Sequence, residues 1–154
     1  MDKLSRNTLQ KTMRFFSNQG YKVLTEFALP NKKRVDIIAI NIKKQIVIVE
    51  VKSNQKKFKI DKKWKKYLNY CNYFYFSFNK YEKKIKLSKN IGIIQTNKTN
   101  AEIKKKASYT KMTKEEKNNL ILNFALSAAS KFHRLVDPNF KKQKNNSIFI
   151  YKKI

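Results

Sequence analysis

The chain has 154 residues, and its 37 Lys and Arg against 10 Asp and Glu leave a formal charge of +27. That balance points to a polyanionic partner, and a single cysteine excludes a disulfide framework or a Cys-rich zinc site. No apolar run reaches bilayer length and the N-terminus lacks the apolar stretch of a secretory signal, so a cytoplasmic protein with no membrane partner is expected.

The length suits one domain with a modest core. Leu4–Asn18 is expected to be a helix, with Leu9, Met13 and Phe16 at helical spacing and Gly20 as its stop. Tyr21–Leu29 is an expected strand, closed by a turn at Pro30-Asn31-Lys32. Arg34–Ile42 and Ile46–Lys52 are the next two strands, joined by a hairpin near Lys43–Gln45. Ser53–Ile60 is a polar link. Asp61–Cys71 is expected to be a helix, capped by Asp61, with Trp64, Tyr67, Leu68 and Cys71 on one face. Tyr73–Phe78 and Ile91–Thr96 are expected strands, and Asn100–Ala107 a short helix. Lys114–Leu135 is a strong helical pattern with Leu120, Phe124, Ala128 and Phe132 in one stripe, ended by Asp137-Pro138. The domain is therefore placed at 1–137, and 138–154 is a basic tail whose apolar Ser147–Tyr151 stretch can dock back. The order α-β-β-β-α-β predicts a mixed α/β sheet, with a three-strand meander, a crossover helix and helices on both faces.

Lys, Asn and Ile are abundant together, a bias that inflates the charge but does not explain the scarcity of acids. Glu26, Asp36, Glu50 and Asp61 fall in one short stretch. The run Ile46-Val-Ile-Val is apolar on both faces, as in a central strand, and then ends on Glu50-Val-Lys52. Side chains two apart on a strand share a face, so Glu50 and Lys52 point the same way. A hairpin loop of three or five residues puts Asp36 opposite Lys52 or Glu50, again on that face. Two carboxylates can hold a hard divalent cation that also meets a phosphate oxygen. A lysine beside them can neutralise the phosphate or position water. As isolated strand-end charges these residues would form only a surface ion pair. The apolar strand before them and the upstream acid at matching parity favour the chemical reading.

Helix, hairpin, Asp36 and Glu50-x-Lys52 resemble the restriction-endonuclease-like PD-(D/E)XK nuclease superfamily. A longer likeness runs through Glu50-Val-Lys-Ser53, Phe58, Asp61-x-Lys63-Trp64-x-x-Tyr67-x-x-Tyr70-Cys71-Asn72-x-Phe74-Tyr-Phe76 and Ile91-Gly-Ile-Ile94, with Phe124-Ala125 and Ala128-Ala129 in the last helix. In these the chain is similar to the MmcB-like DNA repair proteins. The resemblance implies a DNA repair nuclease using Mg²⁺ or Mn²⁺, with Asp36 and Glu50 as metal acids and Lys52 as the catalytic lysine. DNA is the implied partner, with a second repair protein beside it. Glu26 and Asp61 are candidate accessory acids, and Arg34, Lys63, Trp64 and Tyr67 candidate nucleic-acid contacts. For Trp64 and for Tyr73–Phe76, core packing is weighed against base stacking and preferred. The alternative function is a DNA-binding adaptor that keeps the fold without catalysis. It is kept because Leu4–Asn18 holds no acid; Asn72 and Asn97 also stand where the group carries Asp, at positions to which the core motif assigns no chemistry. A third reading, a membrane-surface or acidic-protein binder, rests on charge alone.

Overall fold

A computed structural model describes residues 2–52, 63–80 and 87–139. Asp61, the link 53–60 and the apolar end of the tail lie outside the described residues. The elements are α1 (Lys3–Asn18), β1 (Lys22–Ala28), β2 (Arg34–Ile40), β3 (Ile46–Lys52), a 3-10 helix (Lys63–Tyr70), β4 (Tyr73–Phe78), β5 (Ile91–Thr96), β6 (Ala101–Lys105) and α2 (Lys114–Val136). The strands form one mixed sheet in the order β1-β2-β3-β4-β5-β6. β1 to β3 are an antiparallel meander, β3, β4 and β5 run parallel, and β6 returns antiparallel on the far edge. The α/β architecture matches the sequence expectation.

Local signals set the boundaries. Asp2 caps α1 through Ser5 N at 2.7 Å. At the other end Gly20 takes φ +81°, with Tyr21 N donating to Phe16 O and Gly20 N to Ser17 O. That is a Schellman stop, which glycine adopts without a Cβ penalty. Thr113 and Glu116 form a reciprocal capping box at the start of α2.

Alternation along the strands divides the core into two layers. Even-numbered positions of β2 to β4, including Ile38, Ile48, Phe74, Phe76 and Phe78, join Trp64, Tyr67 and Leu120 on the face covered by the 3-10 helix and α2. Odd-numbered positions, including Ile37, Val47, Val49 and Tyr75, pack with Phe16 under α1. β3 is buried at every position except Lys52. Each fully buried phenylalanine favours folding by about 2–3 kcal/mol before chain entropy is counted.

Three expectations change. Asn100–Ala107 is not a helix, because Ala101–Lys105 pairs with β5 as an edge strand. Its partly buried and exposed positions alternate, with Glu102 and Lys104 outward and ion-paired at 2.5 Å. The open edge of β5 overrides a sequence of good helix formers, and outward charges guard the new edge. The segment after 61 is a 3-10 helix rather than an α-helix. Trp64, Tyr67 and Tyr70 recur every three residues, the repeat that aligns side chains in that tighter helix. Phe132 does not complete the α2 stripe and is 67% exposed. The buried face of α2 runs instead through Leu120, Asn123 and Ser127.

Candidate active site

The hairpin fixes the register. Ile40 pairs with Ile46 and Ile37 with Val49, leaving a five-residue loop, Asn41–Gln45. Asn41 Oδ1 accepts from Gln45 N at 2.9 Å and Asn41 Nδ2 donates to Gln45 Oε1 at 2.7 Å, closing the loop at that length. Continuing the same register sets Asp36 opposite Glu50. Both lie on the face that carries Ile38 and Ile48, with Lys52 one pleat further along.

At this end the strands are joined through the acids themselves. Val51 N donates to Asp36 Oδ2 at 2.8 Å, and Asp36 N donates to Glu50 Oε1 at 3.4 Å. Lys52 Nζ lies 3.4 Å from Glu50 Oε2. Glu50 is buried, while Asp36 and Lys52 are partly open to solvent. Burial, and secondly the Asp36 charge, push the Glu50 carboxyl up to about 7, against the pull of Lys52. Burial also raises Asp36, opposed by the Val51 amide and Lys52. Two crowded carboxylates in a low-dielectric setting favour an added positive charge. Their hard oxygen donors suit Mg²⁺ or Mn²⁺. Among the described residues no group of three or more His, Cys, Asp or Glu is placed to bind a metal. A cation here would therefore rest on two protein carboxylates, with water and substrate oxygens filling its remaining positions, a mode Mg²⁺ accepts.

The other singled-out residues occupy different places. Glu26 and Arg34 pair at 2.7 Å on the exposed margin of β1 and β2. Glu26 has φ +52°, a strained conformation for a non-glycine residue in a strand. Its charge is felt at Asp36, where it also raises the carboxyl. Tyr67 is buried, and its hydroxyl donates to the Arg34 carbonyl at 3.5 Å, tying the 3-10 helix to β2. Trp64 stacks on Phe74 at 5.8 Å and meets Phe76 edge-on at 5.5 Å. Lys63 is exposed at the start of the 3-10 helix. Asp61 is outside the described residues.

Sequence reasoning missed Lys131. Its ammonium donates to the Thr25 carbonyl, from α2 to β1. Burial and then Arg134 lower its pKa, Arg34 adds to that, and Glu26 opposes it. Lys131 thus lies within electrostatic reach of the Glu26–Arg34 pair. The available signal was spacing: Lys131 falls four residues after Ser127, on the buried face of α2. Asn72 has a structural explanation. It is fully buried, accepts from Ile46 N at 2.9 Å and donates to Thr110 O at 2.9 Å. The amide supplies both functions at once, and an ionised Asp could not donate.

Among the described residues no helix is long and apolar enough to cross a membrane. A family model described as "DNA repair protein MmcB-like" matches residues 4–139. No curated protein matches the chain. A similar solved structure is the SPO1766 protein of unknown function from Silicibacter pomeroyi, with a TM-score of 0.82 at 25% identity, over 92% of this chain and 97% of that one.

Proposed function

Because the chain belongs to the MmcB-like family of DNA repair proteins, we propose that it is a metal-dependent deoxyribonuclease of the PD-(D/E)XK type. The observation that carries this reading is the meeting of Asp36, Glu50 and Lys52 on one face at one end of the sheet. Asp36 and Glu50 would hold Mg²⁺ or Mn²⁺, which when bound makes water more acidic and stabilises charge on a phosphoryl group. Lys52 sets a positive charge beside the Glu50 carboxylate, where it can meet the phosphate or orient water. The Val51 and Asp36 amides hold the two acids at their posts. The sheet buries the acids from one side, so each charge acts across a poorly screening medium. Arg34 at the rim offers a planar donor to a neighbouring phosphate. This reading keeps the protein in the cytoplasm, with DNA as partner and a second repair protein as an open addition.

The competing reading is an adaptor that binds DNA without cutting it. One observation favours it: α1 itself carries no acid, and the Asp2 carboxylate before it caps the helix. The test is incubation of purified protein with single-stranded, duplex and branched DNA in Mg²⁺ or Mn²⁺. Cleavage is expected, and Asp36→Ala, Glu50→Ala and Lys52→Ala should each reduce it by about a thousandfold or more. Equal cleavage by all three variants would place the chemistry elsewhere. Salt-sensitive binding with no cleavage in any metal would establish the adaptor.

A further inference from the structure

We propose that the cleft at the carboxyl ends of β4 and β5 binds the sugar–phosphate backbone of the polynucleotide strand that passes the Asp36–Glu50–Lys52 centre. This builds on the nuclease reading and extends it to a substrate-holding tract. Register places the two at the same end of the sheet, the acids on the face of the 3-10 helix and the cleft on the side of α1. Lys52 pairs with Phe78, and Phe78 with Gln95, across one row of parallel strands. The residues that leave β4 and β5 therefore emerge at the same end of the sheet as Lys52, one and two strand spacings away, roughly 5 and 10 Å.

The cleft encloses about 440 Å³, and Lys11, Lys80 and Lys98 line it together with Asn7, Asn79 and Gln95. No carboxylate and no aromatic ring is among its lining residues. Cations with amide donors and no stacking surface are the chemistry for backbone oxygens rather than base edges. An adjoining cleft shares Asn7 and continues over Lys3, Arg6 and Gln10. Positions 3, 6, 7 and 10 recur on one side of α1, so the basic track runs along the helix.

Lys11 supplies the second observation. It is 6% exposed, in the buried stripe of α1 between Thr8 and Thr12, and its Nζ donates to the Asn97 carbonyl. Thr12 bonds Ser77 at 2.7 Å and Thr96 bonds Thr8 at 3.4 Å, so this end of α1 meets the sheet through polar atoms. Among the described residues its hydrogen-bond partner is a neutral carbonyl and no carboxylate lines the cleft, so the lysine charge can attract an anion there. An apolar residue at 11 would complete the packing and leave no such charge.

The experiment measures binding alone, without metal, by fluorescence anisotropy of end-labelled oligonucleotides over a salt series. Lys80→Glu/Lys98→Glu is compared with Lys22→Glu/Lys43→Glu, the same charge change at the opposite end of the sheet. All four lysines are exposed, so both proteins should melt like the parent. The cleft variant is expected to bind at least about tenfold more weakly, and its log–log salt slope to shrink by about 1.5–2, the loss of two phosphate contacts. The control is expected to lose less than about threefold, with an unchanged slope. Equal losses in the two variants, or none at the cleft, would overturn the tract. Because cleavage is not read, the outcomes separate. A protein that never cuts DNA yet loses binding at this cleft keeps the tract and loses the nuclease. One that cuts DNA yet binds normally after the cleft substitutions loses only the tract.

Discussion

The two ends of the β2–β3 hairpin use polar groups in opposite ways. At the loop end Asn41, Gln45 and Asn72 are matched donor to acceptor, and all of them are neutral. At the open end two carboxylates are crowded together, and both are pushed toward protonation by burial. The first arrangement lowers the energy of the fold. The second raises it and leaves affinity for a cation in reserve. One hairpin therefore carries a neutral lock at one end and a crowded pair of acids at the other, and side-chain chemistry makes the difference.

Exchanging chemistry across that divide breaks the comparison most sharply. Asn72→Asp puts a carboxylate against the Thr110 carbonyl with no solvent, and should destabilise by about 3 kcal/mol at neutral pH. Urea unfolding should show the loss shrinking as the new acid is protonated. A loss below about 1 kcal/mol would mean that Asn72 is no lock.

The opposite change at the open end should help the fold. A Glu50 carboxyl raised from its ordinary value near 4.5 to about 7 means that the folded state binds the proton more tightly than the unfolded chain. Metal-free stability should therefore fall as pH rises from about 4.5 to about 7 and level off above. Glu50→Gln should flatten that slope and gain about 1–2 kcal/mol above pH 7, while removing cleavage. Thermal melts of both proteins in chelator at pH 4.5, 6 and 8 would check it. A slope that survives in the variant would assign it to another group.

The smallest effect belongs to the loop. Asn41→Ala removes two side-chain bonds at a half-exposed position and should cost about 1 kcal/mol. DNA binding should not change, because the loop lies at the far end from Lys52. A change in affinity would show that the two ends are coupled.

Periodicity in the sequence was enough for α1, the meander and the parallel return, because each rests on local pattern and a nearby turn. Parity alone put Asp36 on the face of Glu50 and Lys52, while its partner depended on loop length, which Asn41 and Gln45 settle through their own side chains. β6 was misread because its identity comes from the unpaired edge of β5, which no local window contains. Lys131 and Lys11 were passed over for a related reason. A lysine in an amphipathic helix reads as solvent-facing until the packing partner is known, and both turn inward to backbone carbonyls. Asn72 looked like a lost acid and is a bifunctional amide.

The acids at the open end take peptide hydrogens that β2 and β3 leave unshared. Each carboxylate is thus moored to the main chain by the protein's own atoms, with no ion needed to hold it. A cation bound at such a post would ask for little new ordering of rotamers, which would leave more of the attraction for capture itself. A scaffold that parks its charges on its own amides keeps them in position whether or not a ligand is there.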